Sequence, residues 1–254
     1  MLFLLLASTF LFAGATVRPG TVFSADQVWY KAFKPVLEPG PPGAWDALGV
    51  YGPSGRLHED TYQLWYVAAG VGTGVGYASS TDGIWYTKFT GNPVLQGGIP
   101  NFDDLGIVDV SVLLDRGYLS GHYRMWFTGA TQGTQFPAYR IGTADSGWGH
   151  PEGPWTKYFA PVLDMGESGS WDGFGVSGPT VLWDERARIY RMWYTGWNLD
   201  GENAIGYAVS ADGYEWTKYH ENPVLQDAWP SLFDAPTVVK IGDFFWMWYH
   251  DGKV

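Results

Sequence analysis

An internal repeat constrains the fold of this chain more than any other feature of its sequence. The stretch VGYASSTDGIWYTK at 75–88 returns as IGYAVSADGYEWTK at 205–218. A second marker, the triplet PVL, begins at Pro35, Pro93, Pro161 and Pro223. The triplets recur roughly every sixty residues, and a period of that length indicates a repeated supersecondary unit.

Each repeat contains four strand patterns, which in the third copy are PTV, MWYTG, IGYA and WTK. Apolar and polar residues alternate within them, as is typical of half-buried strands. The most regular pattern occurs in all four copies, as LWYVA, MWFTG, MWYTG and MWYHD. Asp82-Gly83 and Asp212-Gly213 separate the third and fourth strands, where a tight hairpin requires positive φ.

Four antiparallel strands repeated with this period predict an all-β fold, a β-propeller of four-stranded antiparallel blades. The aromatic share of 18%, with 35 Gly and 16 Pro, suits short strands and tight turns. Bulky Trp and Tyr side chains are expected to fill the wedges between neighbouring blades. We find no helix-period stretch of useful length, and we predict a single propeller domain over 16–254.

The repeat predicts full blades at about 43–92, 101–160 and 170–222, and a partial blade at 228–254. A fourth-strand pattern at 27–37 precedes them, and we expect it to close the last blade. The partial blade stops after its second strand pattern. We therefore expect a truncated chain that covers about four blades of a five-bladed propeller; a small propeller closed by strand sharing is the alternative.

The N-terminal segment MLFLLLASTFLFAGA, residues 1–15, is apolar but too short to span a bilayer. It ends in Ala13-Gly14-Ala15, a small-residue pattern of the kind that signal peptidase cleaves. No basic residue precedes the apolar run, which departs from the usual signal. We predict a signal peptide and a secreted, extracellular protein that starts near Thr16; a buried first strand is the alternative.

Charge and residue types exclude several functions. A formal charge of −11 would repel phosphate backbones, so we expect no nucleic-acid partner. The absence of Cys excludes disulfides and thiolate chemistry, and no HExxH or GxSxG motif is present. Asn198, Asp200 and Glu202 have the oxygen spacing of a calcium loop, but the Gly and the distal Glu are misplaced. We expect no metal site or cofactor, and leave a structural calcium ion open.

The stretch YRMWYTG…NAIGYAVSADGYEWTKYHENPVL, within 190–225, resembles the repeat of the five-bladed β-propeller glycosidases. That superfamily includes arabinanases, β-xylosidases, invertases, levansucrases and mannoside phosphorylases. The chain more closely resembles secreted, poorly characterised members with PVL…G…WD…V..P.V in every blade. The resemblance runs from about Gln27 to the C-terminus. It is specific for the fold and weak for the substrate, because the shared residues are blade scaffolding.

The resemblance implies an active site at one end of the central channel. There, three carboxylates from the innermost strands of successive blades would serve as base or nucleophile, as general acid and as orienting group. The innermost strands read VYGPS, IVDVS, VSGPT and FDAPT. Only Asp109 and Asp234 are carboxylates there, one position out of register with each other. The first and third blades, which carry the base and the acid in the superfamily, offer none.

Three carboxylates break the internal repeat and are therefore our candidate catalytic residues: Asp109, Asp104 and Glu167. Each has a plain solvated or capping role as the alternative. Asp46 and Asp172, from the repeated Trp-Asp pairs, are candidate substrate-binding residues together with Asp234. A carboxylate repeated in every blade is more often a turn or cap that accepts backbone N–H bonds.

The loop 196–204, GWNLDGENA, is expected to open on the same face as these carboxylates. Trp197 offers an indole on which the C–H face of a sugar ring can stack, and Asn198 offers hydrogen-bonding groups. We include both as candidate substrate-binding residues, with a solvated polar loop as the alternative.

The sequence thus predicts a secreted, glycoside hydrolase-like protein that cleaves an oligo- or polysaccharide with paired carboxylates at the propeller axis. This step rests partly on analogy, since a fold does not fix a function. A non-catalytic carbohydrate-binding or scaffold propeller is the second hypothesis, because two blades lack the expected carboxylates. A fragment that is inactive without its closing blade is the third.

Overall fold

The computed structural model describes residues 6–8, 34–70, 72–100, 102–133, 137–226 and 233–252. All regular secondary structure in these ranges is β-strand, in three sheets whose strands pair antiparallel within each blade. The all-β prediction is therefore confirmed. No helix long and apolar enough to cross a membrane occurs among the residues described.

The strands follow the order that the repeat predicts. Strand β1 (Leu6–Ser8) comes first. The first blade holds β2 (Gly49–His58), β3 (Thr61–Gly70), β4 (Gly72–Ser80) and β5 (Thr87–Lys88), and β6 (Leu95–Gln96) follows. The second blade holds β7 (Gly106–Leu114), β8 (His122–Thr131), β9 (Ala138–Trp148) and β10 (Trp155–Lys157). The third blade holds β11 (Gly175–Asp184), β12 (Ile189–Trp197), β13 (Asn203–Ser210) and β14 (Thr217–Lys218). Strands β15 (Phe233–Ile241) and β16 (Phe244–Asp251) begin the fourth blade.

Two predicted N-terminal segments fall largely outside the described residues. Of the predicted signal peptide, only β1 is described, and it pairs antiparallel with β16. Of the predicted closing strand at 27–37, residues 34–37 are described, and they form bends rather than a strand. Both assignments remain predictions.

The PVL triplet has a structural role that the sequence did not show. Its valine amide donates a 2.8 Å bond to the third strand of its blade, from Val94 to Val75, from Val162 to Ile141 and from Val224 to Ile205. The outer strands are only two or three residues long, so they leave part of the third strand uncovered. The triplet pairs with that exposed edge, which would otherwise be free to pair with another chain.

The Asp-Gly connections adopt the predicted positive φ, at +73° for Gly83 and +81° for Gly213. They are longer than the tight hairpin that the sequence suggested, because the flanking ladder ends at Ser79 opposite Thr87. Asp82 fills this wider loop by accepting the N–H groups of the residues at 84 and 85, at 2.8 and 2.9 Å. These amide bonds hold the pKa of Asp82 below its usual value.

An aromatic contact ties each blade to the next. The ring centroids lie 5.5 Å apart for Trp65 and Tyr123, 5.7 Å for Trp126 and Tyr190, and 5.3 Å for Trp193 and Phe245. The three tryptophans are at most 2% exposed. The first two also donate indole N–H bonds to carbonyls of the following blade, at Pro151 and Gly213. Aromatic residues therefore fill the wedges between blades, as predicted.

Hydroxyl side chains join the inner strands β2, β7, β11 and β15 laterally. The Oγ of Ser54 accepts the N–H of Val112 at 2.9 Å, and the Oγ of Ser111 accepts that of Val181 at 3.0 Å. A 2.5 Å bond from Thr180 to the Pro236 carbonyl links the next pair of strands. A channel of about 390 Å³ runs between these strands. Segments far apart in sequence therefore meet at one axis.

Candidate functional site

A shifted β-bulge sets the second inner strand apart from the other three. In the first, third and fourth blades the irregularity falls at Gly52, Gly178 and Ala235, with φ of +55°, +56° and +49°, each followed by proline. The second blade has Asp109-Val110 in place of this pair. An aspartate before a β-branched residue fits the left-handed bulge less well than glycine before proline. Its irregularity accordingly lies one residue earlier, between Ile107 and Asp109.

The shift brings the two inner-strand carboxylates to the same level. Asp109 stands opposite Thr128 on the neighbouring strand, and Asp234 stands opposite His250. These second-strand residues occupy equivalent positions in MWFTG and MWYHD. The sequence alignment, which set the two carboxylates one position out of register, is therefore wrong. At this level the first and third blades present Tyr51 and Ser177.

A cleft of about 470 Å³ opens beside this level of the axis. Its walls include four aromatic side chains, Tyr51, Tyr139, Phe174 and Trp197. Asp109 lines both this cleft and the axial channel, so its carboxyl lies where the two meet. A larger hollow of about 700 Å³ lies at the outer edge of the first blade and does not include Asp109.

The surroundings of Asp109 favour its protonated form. Burial raises the pKa of this carboxyl to about 6, and the nearby charge of Asp234 adds to the increase. Bonds from the Thr128 hydroxyl and the Gly178 amide oppose the shift without cancelling it. Both protonation states of Asp109 are therefore populated near neutral pH, which is what proton transfer to a substrate requires.

Asp234 has different neighbours. Its Oδ1 lies 3.0 Å from the Nδ1 of His250, and its Oδ2 accepts a 3.4 Å bond from the Nδ2 of Asn203. Burial raises the pKa of Asp234 above its usual value, and the His250 and Asn203 contacts offset only part of that increase. The pKa values of Asp109 and Asp234 are thus both raised by burial, and the two carboxyls differ in their partners, since only Asp234 contacts a histidine.

Trp197 and Asn198 lie where the sequence places them, at the cleft. The indole N–H of Trp197 donates a 2.8 Å bond to the Ser177 hydroxyl, which fixes the ring in the wall. The polar atoms of Asn198 hold its own turn: Oδ1 accepts the amides of Asp200 and Glu202 at 3.0 Å, and Nδ2 bonds to the Glu202 carboxylate at 2.7 Å. The calcium-like spacing at 198–202 thus folds into a closed hydrogen-bonded turn.

The Trp-Asp carboxylates serve the blades themselves. Asp46 and Asp172 are only 2% and 3% exposed, and each forms an ion pair with the lysine of its outer strand, Lys88 and Lys218 respectively. The second blade repeats the contact. Their carboxylates are therefore paired below the surface and do not line the cleft beside Asp109, and their role in substrate binding stays a prediction.

Asp104 and Glu167 lie apart from Asp109. Asp104 is exposed and accepts a hydrogen bond from the Thr131 hydroxyl. Glu167 is exposed in the loop that precedes β11. Neither residue lines the cleft or the axial channel. The three predicted catalytic carboxylates are therefore not brought together. Asp234 does not line either cavity, but it shares the strand level of Asp109 and its charge raises the Asp109 pKa.

Sequence reasoning missed His250 and most of the aromatic wall. His250 could have been found, since it replaces the threonine of MWFTG and MWYTG and so breaks the repeat as Asp109 does. Tyr139 and Phe174 carry no such signal. They come from segments at the ends of strands whose length differs from blade to blade, so the repeat offers no reference for them.

No family model matches the chain. Similar solved structures include a glycoside hydrolase with 18% identity and a TM-score of 0.62, over 79% of this chain and 65% of that one. A family 117 glycoside hydrolase of the marine bacterium Zobellia galactanivorans has 16% identity and a TM-score of 0.61, over 85% of this chain and 71% of that one. A structure from the GH130 family of mannoside phosphorylases has 20% identity and a TM-score of 0.56, over 81% and 61%.

The chain is also 33% identical, over 95 residues, to uncharacterized proteins of two Mycobacterium tuberculosis strains. That match covers 35% of this chain and 31% of those proteins, so the chain spans about a third of the length of these curated relatives. Likeness to the solved structures, at 16 to 20% identity, establishes the fold alone. The chain has the β-propeller fold of the glycoside hydrolases that it resembles.

Proposed function

We propose that this chain carries the active site of a glycoside hydrolase-like protein, with Asp109 and Asp234 as the paired carboxylates. One observation carries the proposal: the two residues occupy the same level of the inner strands of alternate blades, and Asp109 lies at the end of an aromatic cleft. Glycosidic bonds are cleaved by such pairs, in which one carboxyl gives a proton and the other stays ionised.

Asp109 is the general acid in this proposal. Its carboxyl is partly protonated near neutral pH because burial and the charge of Asp234 raise its pKa to about 6. It can therefore protonate the leaving oxygen of a glycoside bound in the cleft. The His250 and Asn203 contacts favour the charged form of Asp234, which acts as base or as stabiliser of the oxocarbenium-like transition state.

A neutral oligo- or polysaccharide is the substrate class that the cleft favours. The tyrosine, phenylalanine and tryptophan rings on its walls offer flat apolar faces for sugar C–H groups. Among the described residues that line it, none is Lys or Arg, so an acidic sugar would meet the Asp109 carboxyl without a countercharge in the cleft. The apolar segment 1–15 supports the further proposal that the protein is secreted and meets this glycan outside the cell.

A non-catalytic carbohydrate-binding propeller is the second candidate. The observation that favours it lies at the same level of the inner strands, where Tyr51 and Ser177 stand in the first and third blades. Neither side chain can act as a carboxylate base. A protein of this kind would bind the glycan in the aromatic cleft and release it unchanged.

Hydrolysis of aryl arabinosides, xylosides, fructosides and mannosides by the full chain tests the proposal. Asp109→Asn should lower kcat roughly 10²- to 10⁴-fold, the usual contribution of general acid–base catalysis. The loss should be smaller for a leaving group that needs no protonation. Asp104→Asn and Glu167→Gln are matched controls, since both carboxylates are exposed and line neither the cleft nor the channel.

Three results would contradict this assignment in different ways. Unchanged turnover in both Asp109→Asn and Asp234→Asn would remove the pair as catalysts. A loss of turnover confined to Asp104→Asn or Glu167→Gln would assign the reaction to that exposed carboxylate instead. Saturable glycan binding with no turnover of any substrate would establish the second candidate instead.

A further inference from the structure

His250 departs from the pattern of its own repeat position. The equivalent residues of the second and third blades are Thr128 and Thr195. Each of these hydroxyls accepts an amide N–H from the next inner strand, from Gly178 at 3.0 Å and from Ala235 at 3.1 Å. Threonine at this position therefore fastens one blade to the next. His250 instead turns its ring to the carboxylate of its own blade.

The contact leaves Asp234 held at both oxygens. With its Nδ1 protonated, His250 donates to Oδ1 at 3.0 Å, while the Asn203 amide donates to Oδ2 from the third blade. Two donors on opposite oxygens fix the rotation of a carboxylate as well as its position. A single donor would leave the group free to turn away from the axis.

We propose that His250 is a positioning residue, which anchors Asp234 so that this carboxylate faces Asp109 as its partner in the reaction. The proposal rests on the function inferred above, because it assigns Asp234 to that reaction. It adds a residue that acts through a carboxylate and does not itself contact the substrate.

The charges around Asp234 give the proposal an electrostatic consequence. The charge of Asp234 acts on Asp109 of β7, and His250 contacts Asp234 from β16, where Asp251 points to the opposite side of the sheet. The side chains that β11, β12 and β13 place near it, Ser177, Thr195 and Asn203, are uncharged. When protonated, His250 is therefore the one cation that Asp234 meets among the described residues.

Removing that cation should move two pKa values in opposite directions. His250 lowers the pKa of Asp234, so its loss raises that pKa. Asp234 would then be ionised over a smaller pH range, and its field on Asp109 would weaken. Since that field raises the pKa of Asp109, the pKa of Asp109 would fall. A bell-shaped pH–rate profile would then narrow, because its acidic limb would move to higher pH and its basic limb to lower pH.

Three variants separate these effects. His250→Asn places an amide N–H where Nδ1 was, without a titratable ring, and His250→Phe removes the donor. His250→Thr restores the residue of the other blades, and so tests the position with a side chain that the repeat already accommodates. Carboxyl NMR titration of Asp109 and Asp234 in the full chain measures the two pKa values directly and needs no turnover.

We expect His250→Phe to raise the pKa of Asp234, to lower that of Asp109 and to reduce kcat about tenfold, the rate change equivalent to one pKa unit. KM should stay within about threefold, because the ring is not part of the cleft wall. His250→Asn should recover most of kcat and leave the narrowed profile. Unmoved pKa values in both His250→Phe and His250→Thr would overturn the proposal. If the pKa values move but the unaltered chain hydrolyses no glycoside, the proposed function is wrong. The effect of His250 on Asp234 would then stand, but not its role in a reaction.

Discussion

At the scale of single residues, the neighbours of each aspartate decide whether it stabilises the fold or carries chemistry. Asp184 is buried, which raises its pKa, yet bonds from Lys240 and Arg191 bring the pKa down to about 2. Asp109 is also screened from water, but it has only a hydroxyl and an amide as partners, and its pKa rises to about 6. A carboxyl without a cation remains able to exchange a proton near neutral pH.

That environment should make Asp109 costly for stability. Its raised pKa means that the folded chain binds more protons than the unfolded chain between about pH 4 and 6, so this residue makes stability fall as pH rises through that window. Asp109→Asn should therefore stabilise the protein by up to about 3 kcal/mol at neutral pH, at about 1.4 kcal/mol per pKa unit. Urea unfolding at several pH values should show the gain shrinking towards pH 4.

Asp184→Asn is the matched control, with the opposite sign. Its lowered pKa adds stability above about pH 4, which is lost as pH falls through about 2. That variant should be less stable than the unaltered chain at neutral pH, because Lys240 and Arg191 lose their shared anion. If both variants shifted stability in the same direction, charge would not be the cause for either residue.

At the scale of strands and loops, the aromatic-Asp and Thr-Lys patterns of the repeat form one ion pair in each full blade. In each full blade, the loop before the inner strand supplies a buried aspartate, and the short outer strand supplies its lysine. The ion pair joins the beginning of a blade to its last strand. Because the aspartates are at most 4% exposed at the side chain, they depend on the lysines for compensation.

Lys218→Met tests the contribution of this ion pair to stability in the third blade. The substitution leaves the 4% exposed carboxylate of Asp172 without its cation, so stability should drop by about 2 to 3 kcal/mol, somewhat below the usual value for a fully buried pair. Asp172→Asn combined with Lys218→Met should recover part of the loss. The free energy of unfolding from urea titration measures both. Equal stability of the single variant and the unaltered chain would show that the pair is only a surface contact.

The sequence predicted the strands well because each strand pattern occurs in several copies of the repeat. Repetition identified the blade elements, the positive φ of Gly83 and the aromatic wedges. It failed where copies differ: Asp109-Val110 moves the bulge by one residue, and an alignment by letters cannot show this. The same limit hid the pairing of Asp109 with Asp234, since a bulge changes which residues are opposite without changing the strand's length.

At the scale of the whole molecule, the candidate site exists only because blades pack against one another. Asp109 belongs to the second blade, the Gly178 amide that lowers its pKa belongs to the third, and Asp234 belongs to the fourth. No single blade contains the site. The hydroxyl bonds between inner strands and the aromatic contacts between second strands together set the spacing of these groups.

Trp126→Phe alters the interface between the second and third blades and should therefore change the candidate site as well. Trp126 is fully buried, packs against Tyr190 and Trp216, and donates to the Gly213 carbonyl at 3.0 Å. The smaller ring leaves a cavity and removes that bond, so we expect a loss of about 2 to 3 kcal/mol in urea unfolding. Trp148→Phe, at a side chain that is 71% exposed, is the matched control and should stay within about 0.5 kcal/mol.

The decisive measurement in the same variant is the pKa of Asp109 by carboxyl NMR. The Gly178 amide lowers this pKa, and its 3.0 Å bond to Thr128 beside Asp109 crosses the interface that Trp126 holds. If the interface loosens, that bond weakens and the pKa should rise above about 6, while Trp148→Phe leaves it unchanged. A destabilised Trp126→Phe with an unmoved Asp109 would mean that the inner strands keep their spacing without the aromatic contacts, and that the hydroxyl bonds alone define the axis.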